Sequence, residues 1–295
     1  GLGDVYKRQS SCWVTIEWMR CQFTLGFPWC PLSVTQWERP AILQTVPILG
    51  GWGVSFFLIV FNLCLASYLH HLLVRRREKE GFSLSSFCPD FYFALSVYIL
   101  MVLPFFENRR KAVSNEGQRV LKVGVCQPYL RDKWKENRVL EHKETLVRQT
   151  KFLSFLNPDL IIWPEASTPY AVNLDRQWVE NLAKDANCTL LIGAVVKEGD
   201  FSYNTISEVS PDSGLNPERY DKQVLVPFGE YVPYPFRWIP GLSKLVGPVG
   251  NFSSGNHPHV FQIKAKDLER PVRVGPLICY EDIFPFLSRK IVSQE

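Results

Sequence analysis

The chain has 295 residues, 46% of them hydrophobic, with a net charge of +4 and eight cysteines. That length can bury a sizeable core and accommodates two units, while the modest charge and the lack of a basic patch interleaved with aromatics argue against nucleic acid. The sequence contains no CxxC, no Cys/His ligand spacing, no HExxH and no GxSxG, so zinc sites, a disulfide framework, other metals and serine-hydrolase chemistry are set aside.

Residues Gly1–Gln9 (GLGDVYKRQ) match nothing that follows in composition and read as a non-native leader outside the fold. Ser10 to Gln36 is aromatic and apolar but carries Glu17 and Arg20, spaced to pair on one helix face. An interfacial helix in a soluble protein is the plain account of it, and a membrane span over about residues 10–30 the sharper one. Gly53 to Val74 is long and apolar enough to cross a bilayer, which takes roughly 20 residues. Arg75, Arg76, Arg77 and Lys79 follow at once. Phe87 to Phe106 is a second span, with Asp90 near one end. The region 10–106 is therefore read as transmembrane and 107–118 as a linker. The basic loop after Val74 marks the inside, which puts everything after Glu107 beyond the membrane.

From Arg119 strands and helices alternate. Val120–Cys126 reads as a strand and Glu136–Leu156 as an amphipathic helix with Val139, Leu146 and Leu153 in one row, stopped by Asn157-Pro158. A buried strand, Asp159–Trp163, a helix, Leu174–Asn187, and a strand, Thr189–Val196, come next. Tyr203–Val209 and Gln223–Val226 add further strands, so residues 119–295 predict an α/β layered domain. Phe228 to Pro258 breaks the regularity. Its Tyr231, Tyr234, Phe236, Trp238 and Ile239 are too apolar for an ordinary loop, and read as an arm packed on the core or, as the family resemblance given below implies, as a mobile apolar lid. Val272, Val274, Leu277 and Ile278 then form a β-branched run ending on Cys279, and a short helix follows over Phe284–Val292. A cysteine at such a junction has its thiolate favoured by the helix start.

Glu165, Lys222 and Cys279 are each ordinary alone: a loop carboxylate, a solvated lysine and a packing thiol. In this order, however, with the acid and the thiol each closing an apolar strand, they resemble the catalytic Glu-Lys-Cys of the carbon–nitrogen hydrolase (nitrilase) superfamily. WPEAS around Glu165, YDKQVLVPFGEYVP around Lys222 and ICYED around Cys279 are similar to one branch in particular, the apolipoprotein N-acyltransferases. Trp13, Glu17, Trp18, Arg20 and Gly26–Trp29 resemble the membrane part of that branch. The resemblance implies the α-β-β-α sandwich of the superfamily preceded by transmembrane α-helices. It also implies supporting or substrate-binding places for Glu230, Tyr280, Glu281, Asn204 and Trp134.

The chemistry expected of the three residues is acyl transfer. Cys279 is the nucleophile, Glu165 its base, and Lys222 stabilises the oxyanion. The resemblance implies a phospholipid as acyl donor, the N-terminal amine of a diacylglyceryl apolipoprotein as acceptor, and no cofactor or metal. It further implies a multi-pass monomer of the bacterial inner membrane with its catalytic domain on the periplasmic side. A membrane-anchored amidase or nitrilase with water as acceptor, and a non-catalytic membrane scaffold, are the rival readings. Relative to the family the sequence reads as incomplete at both ends, with the catalytic domain truncated after Cys279, and this chain by itself is expected not to turn over substrate.

Overall fold

A computed structural model describes residues 2–23, 28–77, 89–113, 120–129, 136–234, 236–239, 251–266 and 268–294. They fall into two compact units, Gly1–Gln118 and Arg119–Glu295.

The first unit is helical. It comprises α1 (Leu2–Phe23), a 3-10 turn (Leu32–Gln36), α2 (Pro40–Leu43), α3 (Val46–Arg77) and α4 (Pro89–Val113). Helix α3 is broken at Gly50, whose φ of 65° lies in the left-handed region that glycine enters without a Cβ penalty. Among the described residues one helix, Val46–Val74, is long and apolar enough to cross a membrane, and it takes in the expected Gly53–Val74 span. The expected Phe87–Phe106 span falls on α4, whose apolar stretch, Pro89–Leu103, is shorter. The third expected span falls on α1, which ends at Phe23. Here Glu17 is buried, and its Oε1 accepts the Leu32 N–H at 2.8 Å, satisfying a donor that opens the 3-10 turn. Tyr6, within Gly1–Gln9, packs against Val60, Cys64 and Ala94. Asp90 accepts hydrogen bonds from Ser67 and Tyr6 at 3.1 and 3.4 Å.

The second unit is an α/β structure. Its main sheet has the order β1 (Val123–Val125), β2 (Leu160–Ile162), β3 (Thr189–Glu198), β4 (Phe201–Ser210), β5 (Gly214–Asp221). The first three strands are parallel and the last two antiparallel. Helices α5 (Val139–Ser154) and α6 (Gln177–Ala186) cover one face, where Leu146, Val179, Leu182 and Ala183 meet Ile161, Leu190 and Ile192. The opposite face packs against a two-stranded sheet of β6 (Phe261–Ile263) and β7 (Val272–Val274), through Leu160, Leu191 and Tyr220 against Phe261, Ile263 and Ile278. Helix α7 (Pro285–Val292) lies beyond β7, so close that a Cβ on Gly275 would stand 2.2 Å from Ile291.

Two expectations need correction. Gln223–Val226 is not a strand. The N–H groups of Gln223 and Val224 are taken by the Glu281 carboxylate at 2.6 and 3.1 Å instead of a ladder. The strand beside Lys222 is β5, which precedes it. GLNPERYD reads as loop because it is polar and contains Pro217, but β5 is the sheet's edge and Pro217 falls where the register shifts opposite Ser207–Val209, so its missing N–H costs no ladder bond. Likewise the strand before Cys279 is only Val272–Val274; Cys279 opens a 3-10 turn (Cys279–Ile283), after which the expected short helix follows as α7.

Candidate active site

Lys222 directly follows β5, Glu165 stands three residues past β2, and Cys279 stands five residues past β7, in the 3-10 turn. After β2 the Trp163 N–H continues the pairing onto Leu191 O at 2.9 Å, Pro164 ends it, and Glu165 turns away ahead of Ala166 at φ 46°. This departure runs tight against β3. A Cβ on Gly193 would lie 2.2 Å from Pro164 O and 2.8 Å from Glu165 Cα. The Ser167 N–H and hydroxyl both donate to Gly193 O, at 2.7 and 2.8 Å, holding the turn down.

Lys222 follows β5. Its N–H donates to Asn204 O at 2.9 Å and its carbonyl accepts the Gly255 N–H at 2.8 Å. Gly255 admits that contact because a Cβ there would meet Asp221 O at 2.3 Å. The Lys222 side chain is 1% exposed. Its Nζ donates to Glu165 Oε1 at 3.1 Å and Glu230 Oε1 at 2.9 Å. Asn204 Nδ2 donates to the same two oxygens, at 2.7 and 3.0 Å, and the Val226 N–H anchors the other oxygen of Glu230 at 2.9 Å.

The Cys279 thiol is hydrogen-bonded to the Glu165 carboxylate, and the Tyr280 N–H faces the sulfur. Cys279 itself adopts φ 50°, a left-handed conformation that a non-glycine residue holds only when its surroundings enforce it. The group that holds the turn is Glu281, fully buried two residues further on. Its Oε2 accepts from the Ile278 N–H at 2.9 Å and the Tyr220 hydroxyl at 2.8 Å.

The electrostatics follow from this arrangement. Burial alone would lower the Lys222 pKa, but the carboxylates of Glu165 and Glu230 outweigh it and hold the ammonium above its ordinary value. Partial burial raises the Cys279 thiol pKa and the Glu165 carboxylate raises it further, against smaller opposing effects of Lys222 and the Tyr280 N–H. The sulfur is nevertheless within reach of solvent, because the residue is exposed. A proton on sulfur beside a carboxylate is the arrangement general-base attack requires.

The structure thus brings Glu165, Lys222, Cys279, Glu230 and Asn204 into one constellation, with Glu281 directly behind it. The ring of Tyr280 is buried against Phe284, 5.1 Å between centroids, in a cluster with Leu287, Val224 and Val226. Trp134 lies outside the described residues. Three positions were missed from sequence: Gly193, Gly255 and Tyr220. Gly193, a lone glycine within the apolar run of β3, carries the usual signal of a close backbone approach. Among the described residues no cluster of His, Cys, Asp and Glu could hold a metal ion.

A chain with this mixed sheet and this constellation belongs to the carbon-nitrogen hydrolase family, whose model matches residues 122–295. Residues 9–64 match the model described as the apolipoprotein N-acyltransferase N-terminal domain. Among curated proteins the chain is similar to an apolipoprotein N-acyltransferase of Geobacter metallireducens, 31% identical over 95% of this chain and 52% of that protein. It is also similar to one of Chlorobaculum tepidum, 28% identical over 92% of this chain and 54% of that protein. The chain spans about half the length of the curated relatives it matches. Among solved structures an amidase from Nesterenkonia sp. aligns over 59% of this chain and 61% of that one, at 16% identity and a TM-score of 0.43.

Proposed function

We propose that this chain carries the catalytic centre of an apolipoprotein N-acyltransferase. The observation that supports this most is the contact of the Cys279 thiol with Glu165, itself paired to the buried Lys222, in a chain that also matches the acyltransferase N-terminal domain. In the first half-reaction the Cys279 sulfur attacks the ester carbonyl carbon of a phospholipid. As the S–C bond forms, Glu165 takes the thiol proton and the carbonyl oxygen gains charge beside the Lys222 ammonium. Collapse breaks the ester C–O bond, and the proton passes from Glu165 to the departing lysophospholipid oxygen. In the second half the acceptor's N-terminal amine attacks the thioester, Glu165 accepts a proton from nitrogen, and the sulfur leaves to be reprotonated. Glu230 and Asn204 hold Glu165 and Lys222 in register.

The helices α1, α3 and α4 are proposed as membrane spans, with the basic residues after Val74 in the cytoplasm and the unit from Arg119 on the outer side. The exposed Tyr234, Trp238 and Ile239 supply an apolar approach suited to a lipid acyl chain.

The test is a mass measurement on the chain carried within a detergent-solubilised protein of its relatives' full length. Incubation with a phospholipid should add one acyl group to the Cys279 peptide, and a diacylglyceryl lipopeptide should then discharge it with gain of the acyl group on its amine. Release as free fatty acid, with none reaching the lipopeptide, would favour the hydrolase. An unacylated Cys279 that iodoacetamide still alkylates would overturn the proposal.

A further inference from the structure

We infer that Tyr220 is a positioning residue for the nucleophile, acting through Glu281 to set the distance between Cys279 and Lys222. The inference rests on the acyl-transfer reading for its consequence in turnover, though not for its geometry.

The fully buried Glu281 carboxylate accepts four donors from two separate stretches of chain. Oε1 takes the N–H groups of Gln223 and Val224, the two residues directly after Lys222. Oε2 takes the Ile278 N–H, directly before Cys279, and the Tyr220 hydroxyl. One carboxylate therefore ties the segment that carries the lysine to the turn that carries the thiol. Three of the four donors are backbone groups that any sequence would supply. Among the described residues Tyr220 is the one side-chain donor to that carboxylate, and so the one whose identity can be lost by substitution.

Strand geometry explains why this residue is the donor. Tyr220 lies in β5 and Lys222 follows its last residue while its N–H still pairs with Asn204 O, so the two, being two apart, start on the same side of the sheet. The Tyr220 ring is anchored in the core with Leu160, Leu191, Phe261, Ile263 and Ile278 and is 0% exposed. Burial, and then the Glu281 carboxylate, push its hydroxyl well above the ordinary tyrosine range, so it remains a proton donor wherever the protein is folded. A rigid ring bolted to β5, the strand that leads into Lys222, thus fixes the carboxylate that closes the left-handed turn at Cys279. A buried hydrogen bond to a charged group matters here for orientation as much as for stability.

The experiment uses Tyr220→Phe in the full chain, which keeps the ring and removes only the hydroxyl, beside Tyr220→Leu, which removes both. Cys279 alkylation by iodoacetamide is followed by mass spectrometry of its peptide across pH, separately from the exposed Cys12 and Cys30. This readout needs no acyl substrate, so it succeeds or fails independently of the proposed function. In Tyr220→Phe the turn loosens, the sulfur leaves Glu165, and the alkylation midpoint moves down toward the ordinary thiol value of 9.0. Acyl-adduct formation should fall about tenfold, with the phospholipid concentration giving half-maximal rate unchanged. A Tyr220→Phe protein that melts earlier but keeps the wild-type alkylation midpoint would show that the hydroxyl is merely structural and would overturn the inference. A shifted midpoint in Tyr220→Leu alone would overturn it too, by assigning the effect to the ring.

Discussion

Asn204 Nδ2 and Lys222 Nζ donate to the same pair of oxygens, Glu165 Oε1 and Glu230 Oε1, one donor neutral and the other charged. Two carboxylates this close repel unless donors stand between them. A single ammonium balances the charge of only one of the two, and the neutral Asn204 amide supplies the remaining donors. Glu230 is tied down on its second oxygen by the Val226 N–H, whereas Glu165 faces the Cys279 thiol. The asymmetry suits Glu165 to the proposed role of base and Glu230 to that of fixed counter-ion.

Removing the ammonium should therefore be costly. Lys222→Met leaves two uncompensated carboxylates, and breaking a buried ion pair from one side costs about 3–5 kcal/mol. Lys222→Met with Glu230→Gln should recover much of the loss, because the second repulsion goes with it. The pH dependence carries the sign. Since the folded pKa of Lys222 is raised, its contribution is complete below the unfolded value of about 10.4 and disappears as pH climbs through the folded value. Urea unfolding between neutral and strongly alkaline pH should show this alkaline loss in the wild type and not in Lys222→Met. An identical alkaline slope in both would contradict the assignment.

The thiol gives a second prediction with its own sign. Glu165 raises the Cys279 pKa, so Glu165→Gln should move the midpoint of Cys279 alkylation downward. The same substitution should abolish acyl-adduct formation, because the carboxamide cannot take the proton. Reactivity toward a pre-activated alkylating reagent and reactivity toward an ester thus part company. Cys279→Ser should lose both, since a hydroxyl is far harder to deprotonate. A midpoint that rises in Glu165→Gln would mean the carboxylate and the sulfur are not in contact.

Much of this was readable in the chain because strand ends are punctuated. Pro164 after an apolar run gave away the turn at Glu165, and the amphipathic row of α5 announced a helix packed by one side. What could not be read depended on distant partners. β5 hides because its proline sits at an edge bulge, a fact set by β4 and not by the segment itself. Gln223–Val226 looks like a strand by composition, yet a carboxylate 58 residues further along the chain takes the N–H of Gln223. Tyr220 gave no local signal either. Its hydroxyl is meaningful only once Glu281 has folded back onto it.

The proposed topology is tested by labelling. A membrane-impermeant maleimide added to intact spheroplasts should modify the exposed Cys279, and a cysteine placed beside Arg77 should react only after the membrane is opened. Cys279 protected until lysis would reverse the orientation.

The last prediction concerns Gly193, which no charge or nucleophile marks. Adding one methyl group there puts a carbon 2.2 Å from Pro164 O and 2.8 Å from Glu165 Cα, both backbone atoms that cannot rotate out of the way. The turn that aims Glu165 must lift off β3, and the two bonds from Ser167 to Gly193 O must lengthen with it. Overpacking of this kind costs about 1–3 kcal/mol in stability. Gly199→Ala is the right comparison, because that glycine sits at φ 56° with nothing within 4 Å, so an alanine there is strained by roughly 1–2 kcal/mol without touching the site. The two variants should melt at similar temperatures. Only Gly193→Ala should slow acyl-adduct formation, by about 100-fold if its base is displaced by 1 Å, and only it should shift the Cys279 alkylation midpoint in the direction of Glu165→Gln. Equal adduct rates in the two variants would mean that the position of Glu165 does not limit the chemistry of Cys279.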